Sequence, residues 1–355
     1  MKKKNLTYHE QIEISYTERL RALLGDMPPY VKDYFRSIDG RTSAKTRISY
    51  AYDLQVFFNY LLERNPALSE RNIKDITLSD LNQLTSNDIE EYQEYLKYYT
   101  TDNSEQKNSE SSIARKMSSL RSFFNYYYKK ELLIRNVAMQ VDMPKLHEKA
   151  IIHLEPDEVA ILLDYMEQCE DQLSKRQQSY FRLTKQRDIA IITLFLGTGI
   201  RVSECVGLDI TDINFRENSI RIRRKGGNEA ILYFGSEVEC ALLDYINGPR
   251  KQTALSAQSS HEDALFFSLQ KRRISVHAIE NLVRKYTEAV VTQKKITCHK
   301  LRSTFGTTLY QETGDIYLVA DALGHKDVNT TKKHYASIKD ENRRRAASAI
   351  KLREK

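Results

Sequence analysis

The sequence predicts a mainly helical fold with one small antiparallel β-hairpin, divided into two domains. Three observations predict it. Apolar residues recur at helical spacing over most of the first 133 residues. A Gly-Gly turn separates two short β-prone runs around residue 226. A polar, proline-bearing stretch interrupts the helical pattern near residue 148. A chain of 355 residues is long enough for two domains that each bury a core.

Residues 8–98 read as helices. Within them TRISYAYDLQVFFNYLLER (46–64) carries Ile48, Leu54, Phe57, Phe58, Leu61 and Leu62 on one broad face. SDLNQLTSNDIEEYQEYLKYY (79–99) repeats the pattern, with Ser86 and Asn87 as caps ahead of Ile89. TTDNSEQKNSESS (100–112) is polar throughout and reads as a mobile loop. The helical period resumes over 112–133, opened by Ser112. Arg115, Lys116, Arg121, Lys129 and Lys130 make that helix basic, and a solvated face or a DNA-facing one fits those charges equally. Residues 141–159 read as a linker in which Pro144 stops one helix and Pro156 opens the next. That division gives domains 1–147 and 148–355. The second begins with helices over 156–168 and about 185–197. It passes through a hairpin, SIRIRR and EAILYF around KGGN, and returns to helices. Gly-Gly tolerates the positive φ angles of a tight turn. There is no internal repeat.

Composition narrows the function classes. With 41% hydrophobic and 29% charged residues the chain has the profile of an ordinary soluble protein. No apolar run approaches the roughly 18 residues of a membrane span, so no membrane insertion is expected. The N-terminus, MKKKNLTYHEQ, is basic but lacks the apolar segment of a secretory signal. The cysteines Cys169, Cys205, Cys240 and Cys298 form no CxxC pair and read as reduced thiols of a cytoplasmic protein. A net charge of +7 suits a polyanionic partner without requiring one. There is no GxxxxGK[ST] loop for ATP. Asp209 and Asp212 are one carboxylate pair, too few for a two-metal nuclease. His299, His325 and His334 match no zinc spacing among themselves or with the cysteines. No cofactor or metal is expected.

What remains is a series of cationic and phenolic groups. In LFLGTGIRVSECVGL an apolar helix breaks at Gly197 and Gly199, and Arg201 follows at a helix start, well placed to present its fork to a phosphate. Lys225 stands at the hairpin tip. In CHKLRSTFGTTLY, His299 and Arg302 lie one turn apart on the same side of a helix. VADALGHKDVNTTKKHYASI ends a helix at Gly324, places His325 just after it, and starts another near Asn329 that carries Tyr335 on its second turn. Each residue alone has an ordinary explanation. Arg201 suits an ion pair with Glu204, Lys225 a simple turn, and His299 a core position. Tyr335 is one of 22 tyrosines, so residue type does not single it out. The combination and its order carry the argument.

In that order GTGIRVSE, RKGGN, HKLRSTFGT, LGHKDVNTT and KHY resemble the tyrosine recombinase (phage integrase) family. The resemblance is close in the C-terminal half and looser in the N-terminal half. Within the family the chain is most similar to the Xer group, in its single-recombinase form, on its long segment before residue 40 and its 100–112 loop. One departure stands out: Tyr335 follows His325 by ten residues, where many Xer sequences have nine and related transposon integrases have ten.

The resemblance implies a helical core-binding domain over 1–147 and a mixed α/β catalytic domain over 148–355. The C-terminal helix KDENRRRAASAIKLREK would dock on a neighbouring subunit. It implies site-specific DNA cleavage and rejoining by transesterification through a 3′-phosphotyrosine, without metal or ATP. Tyr335 would be the nucleophile; a phenol with a pKa near 10 needs positive surroundings to react. Arg201 and Arg302 would hold the non-bridging oxygens, for which planar, permanently charged forks suit better than lysine. Lys225 would be the general acid for the leaving 5′ oxygen. His299 and His325 would donate hydrogen bonds or manage the nucleophile's proton, and Glu204 would orient Arg201. The implied partners are double-stranded DNA, a homo-tetramer on two DNA sites and a septal DNA translocase of the FtsK type. The implied role is chromosome dimer resolution at a dif-like site during cell division. A mobile-element integrase, a type IB topoisomerase and a non-catalytic DNA-binding relative are the alternatives.

Overall fold

Side-chain hydroxyls start many of the helices. Thr7, Ser43, Thr85, Ser109, Ser174 and Ser275 each accept the backbone N–H three residues on, satisfying a donor that a helix start leaves unpaired. The structure, a computed structural model, describes residues 6–101, 104–147, 151–224, 227–257, 261–325 and 327–328. It divides into two units, Met1–Glu148 and Lys149–Lys355.

The first unit contains helices Tyr8–Gly25 (α1), Val31–Ser37 (α2), Ala44–Arg64 (α3), Leu78–Gln83 (α4), Ser86–Tyr95 (α5), Glu110–Lys129 (α6) and Val137–Gln140 (α7). Strands Tyr98–Thr101 (β1) and Ser104–Lys107 (β2) lie between α5 and α6. Its core is aromatic: Tyr34, Phe57, Phe58, Tyr92, Phe123, Phe124 and Tyr127 are all buried. Their rings meet largely edge to face, as Phe58 and Phe123 do at 90° and 6.1 Å between centroids.

Three expectations change here. The polar segment 100–112 is not a loop: β1 and β2 pair antiparallel, Tyr98 opposite Lys107 and Tyr99 opposite Gln106, and Glu110 already begins α6. Tyr99 anchors the ribbon by stacking on Tyr95 at 5.2 Å. The second strand, SEQK, has no apolar residue and so gave no strand signal. The caps also move: Thr85 rather than Ser86 starts α5, and Ser109 rather than Ser112 starts α6. Finally, three of the basic residues on α6 serve the fold. Arg115 pairs with the buried Asp53 of α3. Lys116 is buried and donates to Asn108 Oδ1 at 3.3 Å. Arg121 donates to the Ala138 carbonyl at 3.0 Å and to that of Val141. Burial raises the Asp53 carboxyl against the pull of Arg115 and Lys116, and it lowers the Lys116 ammonium. Lys129 and Lys130 are exposed and line an open groove with Arg41.

The second unit contains Pro156–Gln168 (α8), Lys175–Thr198 (α9), Val202–Gly207 (α10), Ser236–Tyr245 (α11), Lys251–Ala254 (α12), Val276–Val290 (α13), Cys298–Thr313 (α14) and Ile316–Leu323 (α15). Its sheet has strands Ile213–Asn214 (β3), Ser219–Arg223 (β4) and Glu229–Tyr233 (β5) in the order β3-β4-β5, all antiparallel. Helix α9 begins ten residues before the expected 185, because its first half is polar and buries little beyond Phe181 and Thr184. Its second half, from Ala190 to Phe195, is buried throughout. In the hairpin Ile222 faces Ala230 and Arg223 faces Glu229, with Ile220, Ile222 and Leu232 turned inward. Buried polar groups find partners: Arg250 donates to the Ala264 carbonyl at 2.9 Å, Arg273 to that of Leu208 at 2.7 Å, and Tyr286 to Asp188 at 3.1 Å.

No described helix is long and apolar enough to cross a membrane. The helix expected from Asn329, with Tyr335 on it, the C-terminal helix and Lys225 lie outside the described residues.

The thiols provide a test. Cys169, Cys205 and Cys298 are buried, and Cys240 is exposed. Burial raises the Cys169 and Cys205 thiols and pushes Cys298 up to about 11. Since the thiolate is the reactive form, the native protein at about pH 8 should take up one equivalent of iodoacetamide, at Cys240, and four only after denaturation. Mass spectrometry of labelled peptides reads this directly, and rapid native labelling of Cys205 or Cys298 would contradict the fold around α10 and α14.

Candidate active site

Two glycine turns position the arginines. The first ends α9. Gly199 takes φ +61°, and its N–H donates to the Phe195 carbonyl at 3.0 Å. The Phe305 ring fills the space beside it, 2.4 Å from where a Cβ would stand, so glycine is required for conformation and for room. Two residues later Arg201 starts α10. Glu204, one turn on, accepts the Arg201 backbone N–H at 2.9 Å and its guanidinium at 2.8 Å. This is not a surface ion pair: the Glu204 side chain is only 4% exposed, while Arg201 is 38% exposed.

The second turn ends α15. Gly324 takes φ +59°; its N–H donates to the Asp321 carbonyl at 2.8 Å, and the His325 N–H reaches back to the Ala320 carbonyl at 2.9 Å. Those two bonds are the Schellman arrangement of a helix C-terminus. They leave the Leu323 carbonyl to outside donors. Arg201 Nη2 reaches it at 3.3 Å and the Gly324 carbonyl at 3.5 Å. Arg302, on α14 and 5% exposed, donates to the Leu323 carbonyl and to that of Gly199. Two guanidinium groups separated by about a hundred residues thus meet on one carbonyl.

Of the six expected site residues, Arg201, Arg302 and His325 converge on the α15 terminus. His325 is half-buried there. His299 is exposed on the first turn of α14, one turn before Arg302. Lys225 and Tyr335 are outside the described residues. The structure also brings in groups that sequence reasoning missed. The Gly199 and Leu323 carbonyls act as anchors, and a main-chain acceptor leaves no mark in residue type. Arg224 from the hairpin lies against Gly324; the run Arg223-Arg224-Lys225 was its only signal. Thr304 fixes α14 by accepting the Leu154 N–H at 2.9 Å. Permanently charged forks around carbonyls, with one carboxylate pairing to Arg201, can bind an anionic phosphate and offset charge that grows on it.

Comparison with known proteins agrees. Residues 153–342 match the phage integrase family, and residues 31–131 match the phage integrase N-terminal SAM-like domain. The chain belongs to the phage integrase family, the tyrosine recombinases, whose members catalyse DNA cleavage and rejoining. Tyrosine recombinase XerC of Caldanaerobacter subterraneus subsp. tengcongensis is 32% identical over 345 residues, covering 95% of this chain and 89% of the relative. Tyrosine recombinase XerS of Streptococcus pyogenes serotype M5 is 31% identical over 350 residues, covering 92% and 96%. Among solved structures, XerH site-specific recombinase bound to palindromic difH substrate, a post-cleavage complex, superposes with a TM-score of 0.63 at 20% identity. It covers 87% of this chain and 80% of that one, a likeness of fold.

Gly199→Ala should destabilise the protein, since alanine at φ +61° is strained by roughly 1–2 kcal/mol before the clash with Phe305 is added. Thermal unfolding should show a lower midpoint. An unchanged midpoint would mean that the turn at α9 is not built as described.

Proposed function

We propose that this protein is a site-specific recombinase that cuts and rejoins duplex DNA through a 3′-phosphotyrosine on Tyr335. The observation that carries the reading is the meeting of Arg201 and Arg302 on the Leu323 carbonyl, beside His325. In this reading the two arginines bind the non-bridging oxygens of the scissile phosphate and stabilise the pentavalent transition state. His299 and His325 donate to the phosphate or handle the phenol proton. Lys225 protonates the leaving 5′ oxygen, a task suited to a lysine whose proton affinity falls in a desolvated site. Glu204 orients Arg201 through its two bonds. Residues 1–147 act as a core-binding domain and residues 148–355 as the catalytic domain, with the C-terminal helix exchanged between subunits.

The specific role is resolution of chromosome dimers at a dif-like site during cell division. It is carried out in the cytoplasm by a homo-tetramer on two DNA sites, under a septal translocase of the FtsK type. Supporting this are the XerC and XerS relatives, which cover at least 92% of the chain.

Covalent trapping tests the chemistry. The protein is incubated with a candidate dif-like duplex nicked beside the scissile phosphate, so that the cleaved end diffuses away. A protein–DNA adduct should survive a denaturing gel. Tyr335→Phe should abolish it while leaving DNA binding nearly intact. An adduct with that variant would move the nucleophile elsewhere, with Tyr310 and Tyr317 the next to test.

The general acid has its own test. Lys225→Ala should slow cleavage of the ordinary phosphodiester by about 10²-fold or more. Its rate should recover on a 5′-bridging phosphorothiolate, whose leaving group needs no proton. Failure to recover would remove Lys225 from that role.

A further inference from the structure

A third arginine reaches the same helix end. Arg224 sits at the base of the hairpin turn after β4, where its N–H donates to the Asn228 carbonyl at 2.7 Å and its carbonyl accepts the Gly227 N–H at 3.1 Å. Its guanidinium lies flat against Gly324. A Cβ at Gly324 would stand 2.2 Å from Arg224 Nη1, 2.3 Å from Cζ and 2.8 Å from Nε. Gly324 is also the residue whose carbonyl Arg201 approaches, and Leu323 before it holds Arg302. Three permanently charged forks, from the hairpin, α10 and α14, therefore crowd onto two consecutive residues.

The three are not equally satisfied. Arg201 has Glu204. Arg302 has two carbonyls. Among the described residues, Arg224 Nε is buried with no hydrogen-bond partner, and no carboxylate pairs with this side chain. A buried guanidinium N–H left unpaired beside two like charges is costly, and an anion that accepts it removes the cost. Nothing in the packing of Gly324 calls for a charged group; an apolar side chain would cover it as well. We propose that Arg224 is a third phosphate-contacting arginine, donating to a non-bridging oxygen of the scissile DNA phosphodiester together with Arg201 and Arg302. The inference rests on the recombinase reading above, and it assigns Arg224 to the phosphate rather than to the leaving-group side served by Lys225.

The test uses the full-length protein and the nicked duplex in three forms: the ordinary phosphodiester, a methylphosphonate at the scissile position, and a 5′-bridging phosphorothiolate. Arg224→Ala should slow cleavage of the phosphodiester roughly 10–100-fold, the range for losing a hydrogen bond to a charged group. The methylphosphonate lacks the negative charge, so the variant should cleave it within about threefold of the wild-type rate. The deficit should persist on the phosphorothiolate. Arg224→Lys keeps the charge without the fork, should fall between the two, and replaces Arg224→Ala if that variant does not fold. Three results would overturn the proposal: no deficit on the phosphodiester, an equal deficit on the methylphosphonate, or full recovery on the phosphorothiolate. The last would make Arg224 a positioning residue for its neighbour Lys225. If the wild-type protein itself formed no adduct, the recombinase reading would fall and not this inference alone.

Discussion

The Leu323 carbonyl is the acceptor on which the candidate site depends. A helix leaves its last carbonyls without intrahelical partners, and the end of α15 is no exception. The Schellman turn at Gly324 and His325 satisfies the carbonyls of Ala320 and Asp321. The carbonyl of Leu323, the last residue of α15, is taken by Arg201 and Arg302 together. The partial negative charge of a helix C-terminus attracts cations, so this acceptor is favourable although it carries no formal charge. That choice has a consequence. A carboxylate between the two arginines would cancel much of their charge; a carbonyl fixes their geometry and leaves it. The one carboxylate bound to Arg201, Glu204, approaches from α10 and is itself buried.

Two glycines make this geometry possible, and each does so twice over. Gly199 must take a left-handed conformation to end α9, and it must lack a side chain to admit Phe305. Gly324 must do the same to end α15 and admit Arg224. The turn that releases a carbonyl is thus also the gap through which a neighbouring side chain enters. Arg302 joins the two turns, since it donates to Gly199 on one side and Leu323 on the other.

These glycines explain why so much of the site was legible in the sequence. A glycine after an apolar helical run marks a C-terminus, and a charged residue just past it marks what that turn presents. Glycine turns place Arg201 and His325, and helical spacing places Arg302 beside His299, but it is the ordered combination that resembles the tyrosine recombinase family which singles them out. The helices of the first unit were equally plain because large aromatic residues recur on their buried faces. What escaped was whatever lacks an apolar period. The β1–β2 ribbon is nearly all polar beyond Tyr98 and Tyr99, and the first half of α9 is solvated. The roles of Arg115, Lys116 and Arg121 were hidden for a different reason. Arg115 and Arg121 find their partners, Asp53 and the backbone carbonyls of Ala138 and Val141, in other segments, Lys116 finds the Asn108 side chain just before its own helix, and charge on a helix does not reveal whether it faces inward.

Arginine rather than lysine at these positions follows from the same geometry. A guanidinium has five N–H donors in a fixed plane, and Arg302 directs part of that fork at the carbonyls of Gly199 and Leu323. A fork oriented in this way by the protein is already in place before any ligand arrives. A lysine would lack the fixed plane, and its ammonium could lose its proton in so crowded a cationic setting, whereas the guanidinium stays charged. Backbone carbonyls hold the forks of Arg201 and Arg302, and glycine turns expose those carbonyls. Donors fixed before the reaction are the condition under which electrostatic stabilisation of a phosphoryl transition state is strongest.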